Sequence, residues 1–247
     1  MTEVILDQVS VSYVIDKKTR NKVIDKLSIT FGNGLFHVII GESGTGKTTL
    51  LKAILGLVSY EGGIYFGNVD ANSLPLDQRN FSLVSQSYVL YPHMNIFDNI
   101  AYPLKNASAP KKEIIERVYE VAEELDLTHT LTRKPRHISG GQQQRAALAR
   151  ALVKRPTLIA FDEPLSNVDP HQRAELRLLI KNVIKARGIT ALYVTHDFEE
   201  ALALADVLHV MDKGQIVLSG SSREVFYSNH EVVENLKKVL QKQKNVY

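Results

Sequence analysis

An apolar run, Leu35–Ile40, leads directly into Gly41, Glu42, Ser43, Gly44, Thr45, Gly46, Lys47, Thr48 and Thr49, and the stretch Thr48–Leu57 then reads as a helix. This order of strand, glycine loop and helix narrows the fold more than any other feature. The glycines let the backbone curl until several N–H groups converge on one point, and the following helix adds the positive end of its dipole. Such a cradle suits a chain of phosphates: Lys47 would reach the outer phosphates and Thr48 would offer its hydroxyl to Mg²⁺. A merely flexible glycine loop is the plain alternative, but it requires neither an apolar strand before it nor a helix after it.

The flanking patterns extend the strand and helix assignments. Val9, Val11 and Tyr13, then Leu27, Ile29 and Phe31, alternate as antiparallel strands do, and Gly32-Asn33-Gly34 ends them in a turn. Gly62-Gly63 opens another strand, Ile64–Phe66. From about residue 88 to 136 no strand pattern occurs, and Lys111–Leu127 carries Ile114, Ile115, Val118, Val121, Ala122 and Leu125 at helical spacing. Helix Gln142–Lys154 and strand Thr157–Phe161 follow. A helix with Asp169 as cap, Pro170 first and Gly188 at its end comes next, then strand Thr190–Val194 and a helix through Glu199–Leu204. Val207–Met211 and Gln215–Leu218 flank a hairpin turn, Asp212-Lys213-Gly214. Strands alternating with helices imply a parallel sheet. The expected fold is therefore α/β with a mainly parallel sheet and an N-terminal antiparallel β subdomain. Residues 1–87 and 137–247 form the core of one domain, and residues 88–136 form an inserted α-helical subdomain. The lysine-rich end after Leu236 reads as a frayed surface helix.

Composition removes several functional classes. The 30 Lys and Arg are interspersed with 27 Asp and Glu for a net charge of +3, so there is no basic stripe and no nucleic-acid partner is expected. The absence of cysteine excludes disulfides and thiol nucleophiles and fits a reducing compartment. Glu3 and Asp7 make the first residues unlike a secretory signal. No window approaches the roughly 18 apolar residues of a membrane span. The chain is read as soluble, with any membrane role borrowed from a partner.

Two further motifs carry chemistry. The apolar strand Leu158-Ile159-Ala160-Phe161 ends in Asp162-Glu163, and two acids at the tip of a buried strand are costly unless something pairs with them. With phosphates nearby, Asp162 would serve Mg²⁺ and Glu163 would act as general base on a water. A solvated acid pair is the alternative. Ser139, Gly140, Gly141 and Gln142 open a helix rich in small residues, which is either a second anion site or an ordinary serine cap with a glycine hinge.

Taken in order, the glycine loop, Gln86, Ile138-Ser139-Gly140-Gly141-Gln142, Leu158–Pro164, Ser166-Asn167-Val168-Asp169 and His196 resemble the ATP-binding cassette (ABC) family over nearly the whole chain. The resemblance implies a P-loop NTPase core that binds ATP with Mg²⁺ and hydrolyses it. It makes Lys47, Gln86, Glu163 and His196 the catalytic set, with Thr48, Gln86 and Asp162 at Mg²⁺. Gln86 would link nucleotide state to the helical subdomain, His196 would contact the γ-phosphate, and Tyr13 would stack on adenine. Ser139–Gln142 would close over ATP held by a second cassette, and Asp169 would connect the two sites of that dimer. Gln86 also fits a strand-edge amide, His196 a satisfied histidine, and Tyr13 a half-buried strand aromatic, the more so because Asp16–Asn21 lengthens its spacing to the loop. The remaining histidines show no metal-ligand spacing. Ile138 and Asn167 depart from the family's commoner leucine and alanine.

Tyr88–Leu104, just after Gln86, resembles bacterial importer ATPases for sugars, polyamines and oxyanions. The implied partners are a second ATPase subunit, making a homodimer, transmembrane permease subunits and an extracytoplasmic solute-binding protein. The implied location is the cytoplasmic face of the membrane. Such importer ATPases often carry a C-terminal regulatory domain; only residues 219–247 follow the last predicted strand, so the chain reads as lacking it. An exporter ATPase is one alternative. A soluble ABC ATPase of DNA repair or translation is another, disfavoured because there is one cassette and no sustained heptad pattern before Ser139. A phosphotransfer kinase leaves Ser139–Gln143 unexplained.

Overall fold

A computed structural model describes residues 3–14 and 20–244. The chain divides into two compact units, Met1–Arg79 with Lys181–Tyr247, and Asn80–Ile180.

In the first unit, β1 (Val4–Val14) pairs antiparallel with β2 (Arg20–Phe31) on one side and with β4 (Glu61–Phe66) on the other, and β5 (Val69–Asp70) completes the order β2-β1-β4-β5. Strict alternation does not survive along β1 and β2. Their register shifts between Leu6 and Val9 and again between Val9 and Val11, with Gln8 at φ 50° and Lys26 at φ 48°. Bulges of this kind change which side chains face inward. Ile24, Leu27 and Phe31 are buried, Ile29 is half-covered, and Tyr13 lies exposed.

A second sheet in this unit has the order β10-β9-β3-β8. Here β3 (Phe36–Ile40) runs parallel to both β8 (Thr190–Thr195) and β9 (Val207–Asp212), and β10 (Gln215–Gly220) is antiparallel to β9. All five residues of β3 are buried, as a continuous apolar run in a parallel strand requires. The turn from β9 to β10 has positive φ at both Lys213 (43°) and Gly214 (77°), the primed geometry that matches strand twist. Helices α1 (Lys47–Leu55), α6 (Phe198–Leu204), α7 (Ser222–Phe226) and α8 (Glu231–Lys244) complete the unit. The lysine-rich end is helical as far as Lys244.

The second unit pairs β6 (Phe81–Ser85) in parallel with β7 (Leu158–Asp162). Its helices are α2 (Ile96–Asn106), α3 (Lys111–Glu124) and α4 (Gly140–Leu152), each packed against the other two. On α3 the stripe Ile114, Val118, Val121 and Ala122 is buried, and Leu125 just beyond it is buried too. Ile115 is 41% exposed, because one residue on from Ile114 turns it about 100° away from the stripe. Helix α5 (Pro170–Ala186) begins in this unit and ends in the other. Pro170 opens it, the Asp169 carbonyl accepts the N–H groups of Gln172 and Arg173, and Gly188 closes it at φ 61°.

Candidate nucleotide-binding site

In the first unit, Ile40 at the end of β3 is opposite Thr195 at the end of β8, so the glycine loop and His196 leave neighbouring parallel strands at the same end. Carboxyl ends of parallel strands are where open α/β sheets place ligands. Gly41 must be glycine on steric grounds: an added Cβ would stand 2.3 Å from the Met211 carbonyl oxygen. Gly46 caps α1 at φ 105°, in the left-handed region, and α1 has neither a side-chain cap nor an acid in its first turn. Thr45 braces the loop, donating its hydroxyl to the Glu42 carbonyl (2.9 Å) while its own carbonyl accepts the Gly214 N–H (3.0 Å).

Lys47 is 4% exposed. Its ammonium donates to the carbonyls of Gly41 at 2.8 Å and Glu42 at 2.7 Å, so the charge sits across the loop's own curl. Glu42, Ser43 and Gly44 form the exposed crest, and Thr48 and Thr49 are half-buried on the first turn of α1. Tyr13 is brought to this loop, with its hydroxyl 3.4 Å from Thr49 Oγ1. Residues 15–19, most of the Asp16–Asn21 insertion, lie outside the described residues.

His196 is exposed, directly after β8. Its surroundings are set by a residue that sequence reasoning passed over. Glu200 is 3% exposed and accepts the hydroxyls of Tyr193 and Thr195, each at 2.9 Å. Thr195 in turn accepts the Asp197 N–H at 3.0 Å, and the Asp197 carboxylate caps α6. Nothing in the local sequence distinguishes Glu200 from the half-buried Glu199 beside it; only packing buries one fully and not the other.

In the second unit, Ser85 is opposite Asp162, so Gln86 and Asp162-Glu163 also leave parallel neighbours at a common end. Asp162 and Glu163 are half-buried, Gln86 is exposed, and Glu163 has φ 48°. Asn167 donates its amide to the Gln86 carbonyl at 3.3 Å, a tie an alanine there could not make. Ser139 caps α4 in a reciprocal capping box with Gln142, its Oγ accepting the Gln142 N–H (3.2 Å) and its N–H donating to Gln142 Oε1 (3.1 Å). Ser139, Gly141 and Gln142 border a cleft of about 190 Å³ beside Arg145, which donates to Glu175 at 2.5 Å.

The chain is 45% identical over 213 residues to the molybdate/tungstate import ATP-binding protein WtpC of Pyrococcus horikoshii, covering 86% of this chain and 62% of that protein. It is 44% identical over 206 residues to the sn-glycerol-3-phosphate import ATP-binding protein UgpC of Ralstonia nicotianae, covering 83% of this chain and 56% of that one. It thus spans roughly three-fifths of the length of these curated relatives. A dimeric structure of the ATP-binding cassette MJ0796, in a post-hydrolysis state bound to ADP and Pi, superposes with a TM-score of 0.78 at 28% identity, covering 89% of this chain and 99% of that one. Membership rests on a family model described as ABC transporter: it matches residues 24–166, more than half of the sequence, and the chain belongs to that family.

Proposed function

We propose that this chain binds MgATP, hydrolyses it, and works as the paired ATPase subunits of a solute importer. The observation that carries the proposal is the amino end of α1. It presents its dipole through Gly46 with no side-chain cap and no acid in the first turn, and the buried Lys47 ammonium lies across the same loop. A polyphosphate is the ligand such an end suits.

Within that reading, residues 41–49 cradle the phosphates, Lys47 neutralises the β- and γ-phosphates, and the exposed Tyr13 offers its ring to adenine. Glu163 accepts the proton of the attacking water and His196 contacts the γ-phosphate. The Thr48 hydroxyl, Gln86 amide and Asp162 carboxylate are hard oxygen donors of the kind that would hold Mg²⁺, which binds through one or two carboxylates, phosphates and water. Among the described residues no group of three or more His, Cys, Asp and Glu forms a metal cage, which is in keeping with that donor set. When bound, Mg²⁺ would offset charge on the phosphate oxygens.

The dimeric state of the MJ0796 cassette and its bound ADP and Pi support a second copy and hydrolysis. In such a dimer Ser139–Gln142 of one copy would face ATP on the other, with Asp169 linking the two sites. The import names of WtpC and UgpC support coupling to permease subunits and an extracytoplasmic solute-binding protein, with the ATPase at the cytoplasmic face. No helix among the described residues is long and apolar enough to cross a membrane, so the permease would supply the spans. A groove of about 340 Å³ lined by Leu83, Tyr91, Tyr102, Pro103 and Arg150 is the surface we assign to permease docking. Molybdate or tungstate and glycerol phosphate are unlike cargoes carried by relatives of nearly equal identity, so solute choice is assigned to the partners. Assay of MgATP hydrolysis by the full chain, with Glu163→Gln alongside, tests the proposal; a chain that neither binds nor hydrolyses MgATP overturns it.

A further inference from the structure

Glu163 leaves β7 at φ 48°, in a left-handed conformation that a residue with a Cβ adopts only when its surroundings hold it there. Its carboxylate direction therefore depends on what fixes the next residues. Pro164 has no N–H, so its carbonyl is its one polar main-chain group. That oxygen accepts two hydrogen bonds, from the Tyr88 hydroxyl at 2.5 Å and from Gln144 Nε2 at 2.8 Å. Two lone pairs meet two donors.

Gln144 is 3% exposed, and its Oε1 has no partner. The amide cannot be turned over to mend this, because Oε1 would then face the Pro164 oxygen. A buried amide with an unpaired oxygen works against folding, and an apolar side chain of the same length would fill the space without that cost. Stability does not account for a glutamine here, whereas its N–H donor does. Tyr88 is itself held at φ 54°, and Arg150 of α4 grips the carbonyls of Tyr88 (3.2 Å) and Val89 (2.8 Å) while covering the Tyr91 ring at 5.5 Å. One helix thus supplies Gln144 and also anchors Tyr88. Beyond Pro164 the turn closes on Glu163 itself, whose carbonyl accepts the Ser166 N–H (3.3 Å) and hydroxyl (2.9 Å).

We infer that Tyr88 and Gln144 are positioning residues that share the Pro164 carbonyl and so hold the turn that aims Glu163. Their effect on turnover rests on the reading of Glu163 as the base. The same helix opens on Ser139–Gln142, so the element that would close over a partner's ATP also holds the acid's turn.

The test uses Tyr88→Phe and Gln144→Met in the full chain, with steady-state ATP hydrolysis, thermal melting and amide hydrogen exchange across residues 163–168. Each variant is expected to lose roughly ten- to a hundredfold in kcat with KM within about twofold, as misplacing a reacting group does. Tm should be unchanged, or raised in Gln144→Met, and exchange at Ser166 and Val168 should quicken. Wild-type kcat and exchange in both variants overturn the inference. So does a kcat loss that comes with a matching fall in Tm, which would mark a general structural role. If Glu163→Gln keeps wild-type turnover, the base assignment fails by itself, and exchange at Ser166 still decides whether Tyr88 and Gln144 hold the turn.

Discussion

His209 Nε2 lies 3.1 Å from His37 Nδ1 in the core of the first unit, and the two rings stack at 26°. Their tautomers are determined. His37 Nε2 is 2.9 Å from the Gly32 carbonyl, which can only accept, so His37 carries its proton there. His37 Nδ1 then accepts from His209 Nε2–H, and His209 Nδ1 accepts from the Ser219 hydroxyl at 2.8 Å. A second proton on His37 would set its Nδ1–H against the His209 Nε2–H, and one on His209 would put a charge in the buried core.

Stability should therefore fall in acid for a reason specific to this pair. Burial, and secondarily the charge of His37, pushes His209 down to about 3; burial also lowers His37, against the pull of the Gly32 carbonyl and Asp206. Between pH 6.5 and that range the unfolded chain binds protons the folded chain refuses. Stability present above about pH 6.5 is thus lost as pH falls, at about 1.4 kcal/mol per unit of pKa difference. The urea midpoint should drop between pH 6.5 and 4. His209→Gln, which keeps a donor and an acceptor but no titration, should show a shallower slope; identical slopes would refute the account.

Gly41→Ala should damage the loop without touching a charge. The new methyl would meet backbone, the Met211 carbonyl, at 2.3 Å, and neither strand end can yield cheaply. A stability loss of about 1–3 kcal/mol in urea is expected from such overpacking, together with weaker MgATP binding by calorimetry. Wild-type values in both would show that the loop can shift freely.

Lys47→Ala should abolish measurable MgATP binding in calorimetry, because the ammonium held by Gly41 and Glu42 is the loop's own cation. Tight binding that survives the change would remove Lys47 from the phosphate site.

Glu163→Gln should bind MgATP but lose roughly two to four orders of magnitude in turnover, as expected for removal of a general base. It should also accumulate as an ATP-bound dimer in size-exclusion chromatography. Near-normal turnover would sink the assignment.

The helix and strand assignments were largely legible because their signals are periodic and local. The stripe on α3 and the primed turn at Lys213-Gly214 both appear where the sequence places them. Legibility failed where a single residue breaks the period. The bulges near Gln8 and Lys26 leave Ile29 half-covered and Tyr13 exposed, and no sequence pattern marks them. Asn167, seen in the sequence only as a departure, proves to be a tie to the Gln86 backbone. Glu200 and Gln144 gave no signal because a buried polar side chain has the same one-letter code as an exposed one.

The sequence by itself determined the order strand, glycine loop and helix around Gly41–Thr49, the capping residue of α4 and the acids at the end of β7. These depend on steric freedom, hydrogen bonding and apolar period within a few residues. Tertiary structure alone decided that Tyr13 reaches Thr49 and that the Pro164 carbonyl is held from Tyr88 and Gln144. Those partners are brought together by strand pairing and helix packing, so their distances depend on the whole fold of each unit and are not encoded at any one position.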